Sequence, residues 1–296
     1  MKVTIRFAAF LLLVFSVTAG ALGQKTETPD ERAKREELAR KNAVVAAENE
    51  KIVRENDAVT SAFKAGNEAL SAKRYEEAIK RYDAGLATAP DHPGASTLLT
   101  NKSAALKARG AERYNAGVSG KNEALKNAGL KDFVDAAASA EIAVALIKAY
   151  PEPADPTERT RYSRNRFAAV AAFAESLRLV ALKVDNTKAA AAYAAYKEYW
   201  LLEALPAKKL KLRLDAAELL LTAGSFADAA AEYKYVLTLD RDNPDALFGA
   251  AMALGATEDK GKKAEALQLI ERYLAVAPAD HEFRSDARAL LEFLKN

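Results

Sequence analysis

The sequence predicts an all-α protein, a solenoid of antiparallel helix pairs with an N-terminal helix before it and a capping helix after it. Three observations carry that expectation. Half of the 296 residues are apolar and alanine supplies much of that half, which favours helices and fills little volume between them. The stretch YEEAIKRYDAGLATAPDHP at 75–93 returns in outline as FADAAAEYKYVLTLDRDNP at 226–244, and such internal similarity marks units that cannot bury an apolar face alone and so must stack. The chain has no cysteine. Disulfides and thiolate metal sites are therefore excluded, and stability has to come from packing.

Residues 1–23 read as a leader to be removed. Lys2 and Arg6 make a basic start, an apolar run of about 13 residues follows from Phe7 to Ala19, and Ala19-Gly20-Ala21 gives a small-residue exit, the layout of a secretory signal peptide. The run falls short of the roughly 20 residues that span a bilayer core. The expectation is an exported chain, periplasmic or secreted, with no integral membrane span after cleavage and, lacking a cysteine, no lipid anchor. Removing Lys2 and Arg6 leaves 44 − 2 = 42 basic against 41 acidic residues. The mature chain is then nearly neutral, the pI of 8.8 overstates its basicity, and no nucleic-acid partner is expected.

Residues 24–58 predict one long helix, with Pro29 at its start, Asp30 and Glu31 in its first turn and no glycine from Asp30 to Asp57. Leu38, Val45, Ile52 and Val59 recur every seven residues, and Asn42, Asn49 and Asn56 recur beside them. With the aliphatics at the d positions of a heptad, the asparagines fall at a. Two readings stay open: an amphipathic helix docking its thin stripe on the first repeat or lying partly in solvent, or a helix for self-association weakened by its asparagines.

From Val59 to Pro278 the period becomes specific. Gly66 lies nine before Tyr75, and Ala78, Tyr82, Leu86 and Pro90 follow at offsets 3, 7, 11 and 15; Phe226 is followed by Ala229, Tyr233 and Leu237 at the first three of these. Small Gly66 and Ala78 let helices approach, while Tyr75, Tyr82 and Leu86 share one face of the second helix. Pro90 ends the unit. A third unit at 244–279 repeats the second-helix spacing with Ala266, Ile270, Leu274 and Pro278. Between the outer units, 93–207 predicts two degenerate helix pairs around Phe133 and Ala136 and around Ala192, Tyr196 and Trp200, separated by the turn PEPADP. Residues 208–243 form the unit around Phe226, and 280–296, with Leu290, Leu291 and Leu294 on one face, cap the array.

This spacing resembles the tetratricopeptide repeat (TPR), a helix pair of about 34 residues. The resemblance implies a right-handed superhelix whose inner surface is lined by the first helix of each pair and grips extended peptides. On that basis Asn67 and Asn101, 34 apart, are candidate partner-binding residues, with Lys64 and Phe63 beside them, since carboxamides both donate and accept. The family's clamp for a terminal carboxylate places Lys four residues before the first Asn. Phe63 holds that place here.

Signs of catalysis are absent from the sequence: no H-E-x-x-H, Gly-rich phosphate loop or nucleophile elbow occurs. The two histidines, His92 and His281, both follow a closing proline and are expected as solvent-exposed turn residues. Neither metal nor cofactor is called for. Basic clusters occur at 159–166 (RTRYSRNR), 208–213 (KKLKLR) and 260–263 (KGKK), read as solubilising charge or as a patch for an acidic polymer or anionic headgroups. The function expected is non-enzymatic: an interaction scaffold of the cell envelope binding a peptide or protein segment. The alternative is a structural envelope component that forms a weak homo-oligomer through the N-terminal helix.

Overall fold

The computed structural model describes residues 28–257 and 259–295. Among them are eleven α-helices, one short 3-10 turn at Asn186–Lys188, and no strand. The helices are α1 (Pro29–Ser71), α2 (Tyr75–Thr88), α3 (Ala95–Ser119), α4 (Glu123–Ala149), α5 (Pro156–Lys183), α6 (Ala189–Leu202), α7 (Pro206–Thr222), α8 (Phe226–Leu239), α9 (Pro244–Gly255), α10 (Lys260–Val276) and α11 (Arg284–Lys295). The leader expected over residues 1–23 lies outside the described residues.

The chain divides into two units, one ending at Lys51 and one beginning at Ile52. In the first, every described residue is exposed. Its helix begins with a capping box: Glu31 Oε2 accepts from Thr28 N at 2.9 Å, and Thr28 Oγ1 accepts from Glu31 N at 3.3 Å. The bonds that Thr28 N and Thr28 Oγ1 donate to Glu31 Oε2 hold that carboxyl below its ordinary range. The helix expected over 24–58 and the first helix of the unit that follows it are continuous in α1, from Pro29 to Ser71. Nothing in the sequence there stops a helix: no proline lies between Pro29 and Ser71 and no glycine between Pro29 and Gly66.

In the second unit successive helices pack in chain order, and first helices of neighbouring pairs also touch: α3 on α5, α5 on α7, α7 on α9. The contact that sets the spacing is a tyrosine ring laid against a glycine. A Cβ on Gly66 would stand 2.2 Å from Tyr82 Cε1, and one on Gly249 2.3 Å from Tyr233 Cζ. Ala78 and Ala229 are wholly buried in the same clusters, so each ring fills space that its small neighbours leave. Tyr75, Leu86, Phe226 and Leu237 are partly buried around them, and Pro90 and Pro278 sit exposed after their helices. In the last pair Ala266 and Ile270 are fully buried, with Leu274 packed beside Ile270.

The middle of the unit packs differently. α3 and α4 run 25 and 27 residues and meet backbone to backbone: a Cβ on Gly129 would lie 2.5 Å from Tyr114 N, and one on Gly117 2.4 Å from Lys126 N. Phe133, Ala136, Ala192, Tyr196 and Trp200 are all buried. Across the same helix pair the buried Asp132 carboxylate is held by Arg109, through Nε at 3.0 Å and Nη2 at 2.7 Å, and by Arg113 Nη1 at 3.1 Å. Two guanidinium groups thereby offset its desolvation.

Three hairpins share one turn. In each, one amide reaches back to form a 6→1 bond and its predecessor a 5→2 bond: Arg74 N to Ala69 O and Lys73 N to Leu70 O, Asn122 N to Gly117 O and Lys121 N to Val118 O, Ser225 N to Leu220 O and Gly224 N to Leu221 O. This helix ending needs a left-handed residue. Gly224 takes it at φ +73°, but Lys73 and Lys121 take it at φ 58° and 51°. Side-chain caps from Asn122, Asp155, Asn243 and Asp259 start α4, α5, α9 and α10. Arg284 closes α10, donating to Ala277 O at 2.6 Å and Leu274 O at 3.1 Å.

Both histidines depart from the exposed placement expected of them. His92 Nδ1 accepts from Gly94 N at 2.9 Å, which leaves the proton on Nε2 to be donated to Asn56 Oδ1 at 3.1 Å. His281 Nδ1 lies 2.8 Å from the Tyr273 hydroxyl, and its Nε2 lies 3.4 Å from Asp245 Oδ1. Each turn folds back over the helices of its own pair, α1 for His92 and α9 with α10 for His281, so both rings are drawn inward.

Two predictions follow from this packing. Gly66→Ala and Gly249→Ala should each cost about 1–3 kcal/mol of unfolding free energy through overpacking, whereas Lys73→Gly and Lys121→Gly should each add about 1 kcal/mol by relieving the left-handed strain; denaturant titration measures both signs. Burial pushes the His92 pKa below 6.5, against the opposing pull of Glu55. The unfolded chain therefore takes up the proton first, and stability present above pH 6.5 is lost as pH falls through that value. His92→Gln should lose less stability than the parent chain over the same window, as read by thermal unfolding at stepped pH.

Candidate functional site

A groove of about 610 Å³ lies between α3, α5 and α7, with α6 beneath it. Its walls are first helices of three successive pairs, held together by ion pairs and by a buried contact of Ser103 with Ser176 at 3.2 Å. Lys107 of α3 pairs with Glu175 of α5, and Arg178 of α5 pairs with Glu218 of α7 while standing 3.8 Å from Asp215. Burial raises the Asp215 carboxyl, with Arg178 and Lys211 pulling the other way.

The floor is aromatic. Tyr196 is only 2% exposed, and Tyr199 lies half-buried beside it with ring centroids 6.1 Å apart. Burial pushes the Tyr199 phenol up to about 12 and raises Tyr196 as well, so both remain neutral donors in ordinary buffers. The buried Glu203 carboxylate accepts from Leu205 N at 2.9 Å where the chain turns into α7. That helix starts at Pro206 without a side-chain cap or an acidic residue in its first turn, so Glu203 is the carboxylate at its positive end.

Two cations complete the groove. Lys208 and Lys211 line it, and among the described residues no ion pair holds either ammonium. The rest of the KKLKLR cluster is used differently. Arg213 pairs with Glu232 at 2.7 Å and stacks on Tyr235 and Trp200 at 3.9 and 4.9 Å. In RTRYSRNR, Arg159 donates to Pro153 O and Ala154 O, Arg161 pairs with Glu158 and Arg166 with Glu198. In KGKK, Lys263 lies over the Phe293 ring. Lys209, Arg164, Lys260 and Lys262 in the three clusters also stand outside ion pairs among the described residues, but of the cluster cations only Lys208 and Lys211 line the groove.

Asn67 and Asn101 meet, as residues one period apart should. Asn101 Nδ2 donates to Asn67 Oδ1 at 2.9 Å, and the Tyr82 hydroxyl donates to the same oxygen at 2.6 Å. That oxygen is saturated by the protein itself. Phe63 and Lys64 are exposed on α1, and none of these four residues lines the groove. The groove residues come from four helices and form no local motif; the visible signals were the KKLKLR run and the tyrosines of YAAYKEYW.

No family model matches the chain, and no curated protein sequence does either. Among solved structures, a thermophilic TPR protein of Thermus thermophilus is similar at 17% identity and a TM-score of 0.38, over 80% of this chain and 99% of that one. The TPR2AB domain of yeast Sti1 in its pHSP90 complex is similar at 19% identity and a TM-score of 0.34, over 81% of this chain and 100% of that one.

Tyr82→Phe removes one of the two donors on Asn67 Oδ1. It should lower the unfolding free energy by about 1 kcal/mol and leave ligand capture at the groove unchanged, which calorimetry and a binding assay on the same sample would show.

Proposed function

We propose that the protein is a non-enzymatic interaction scaffold that binds an extended, acidic protein segment in the groove between α3, α5 and α7. The observation that carries this reading is the pair of ammonium groups that line the groove outside any ion pair among the described residues, Lys208 and Lys211, over a floor of neutral tyrosines. A carboxylate side chain gains a charge-assisted hydrogen bond from either lysine, and Leu179 and Leu212 on the same lining offer apolar contact between such contacts. The walls are braced by their own ion pairs, so a partner pays little for ordering the receptor. The basic start, apolar run and small-residue exit of residues 1–23 support an exported, envelope setting for the scaffold.

The test uses two short synthetic peptides, one alternating glutamate with leucine and one alternating lysine with leucine, read by fluorescence anisotropy. The acidic peptide should bind and the basic one should not. Lys208→Glu with Lys211→Glu should weaken the acidic peptide by about tenfold or more, a loss of about 1.4 kcal/mol. Equal binding of both peptides, or no effect of the double substitution, overturns the reading.

A further inference from the structure

We infer that the N-terminal stretch of α1 pairs with the same stretch of a second copy, parallel and in register, along the row Leu38, Asn42, Val45 and Asn49. Leu38 and Val45 are 59% and 50% exposed, and Ile52, the next member of the row, is 51% exposed. Where α1 is covered, the aliphatic positions of the row make the contact: one heptad on, Val59 is 4% exposed, and one further Gly66 receives the Tyr82 ring, whereas Phe63, on the asparagine side of the row, is 42% exposed. Its N-terminal stretch is continuous with that established helix interface in residue type and spacing. Only there does it lack a cover within the described residues.

What fits the stretch is decided by the asparagines. A carboxamide set against an aliphatic side chain loses its water without gaining a partner. Opposed helices sharing this seam would set Asn42 against Val45 and Asn49 against Leu38. Parallel helices in register set aliphatic on aliphatic and carboxamide on carboxamide, each amide donating to the other's oxygen. The next seam asparagine shows what a covered one does in this chain: Asn56 Nδ2 donates to Ile52 O at 2.8 Å, and Asn56 Oδ1 lies 3.1 Å from His92 Nε2. Charge does not oppose the arrangement. No ionisable residue occupies the seam between Leu38 and Asn49, Ala39 and Ala46 flank it on one side, and Lys41 on the other is already paired with Glu37 at 2.6 Å. Two asparagine layers among few aliphatic ones make the association weak and concentration-dependent.

The absence of native cysteine makes the test clean. Light scattering of the full chain across a concentration series should show the mass rising from one copy toward two. Leu38→Glu with Val45→Glu should hold it at one copy without moving the thermal midpoint, since both positions are exposed. Under mild oxidation, Leu38→Cys and Asn49→Cys should each form a disulfide-linked dimer with itself. A one-copy mass at every concentration overturns the inference, whatever else the stripe binds. Linkage of Leu38→Cys only to Asn49→Cys overturns it too, because that pattern means opposed helices.

Discussion

A tyrosine ring resting on a residue that has no side chain is the contact on which the rest of this structure depends. At Gly66 with Tyr82 and at Gly249 with Tyr233 the ring occupies the volume a Cβ would need, so the helix axes come close without leaving a void. Alanines with no exposed surface surround both rings. The arrangement fixes distance rather than merely hiding apolar area, since a larger residue is repelled and a smaller ring leaves a cavity. The first contact seats α2 on α1 within a pair, and the second seats α9 on α8 between one pair and the next. First helices of neighbouring pairs also touch, and the faces of α3, α5 and α7 make the groove.

Much of this was legible in the sequence, because Gly66, Ala78 and Tyr82 fall within one helix hairpin, at most 16 residues apart. Gly66, Ala78, Tyr82 and their counterparts around Phe226 could be read by counting. The α3 and α4 pair could not, because its close approach uses Gly110, Gly117 and Gly129 against backbone atoms, and a pattern built on aromatics has nothing to find there. The continuity of α1 was missed for a different reason. A change from a heptad stripe to a repeat motif looks like a boundary, yet a helix ends only where something stops it. The histidines differ from the expectation because their partners Asn56 and Asp245 lie 36 residues away, on the first helix of the same pair, beyond any local window.

The groove shows where sequence reasoning stops most plainly. Its residues run from Lys107 to Asp215, and whether a cation is available for a partner depends on which carboxylate lies across from it. KKLKLR is visibly basic, but only the fold shows that Arg213 is spent on Glu232 while Lys208 and Lys211 are not. Asn67 and Asn101 present the converse: their spacing brings them together, and the fold then joins them to each other and to Tyr82.

The groove's walls consist of paired charges and its floor of neutral phenols, so its unspent charge is small and localised. Such a surface selects by position more than by net attraction. The central claim is that the stacked first helices present a preformed site at α5 and α7. Hydrogen–deuterium exchange with and without the acidic peptide tests it most directly. Added protection over 175–178 and 208–215, with α1 unchanged, is the result this account predicts; protection confined to the helix around Phe63 and Asn67, or none anywhere, would contradict it.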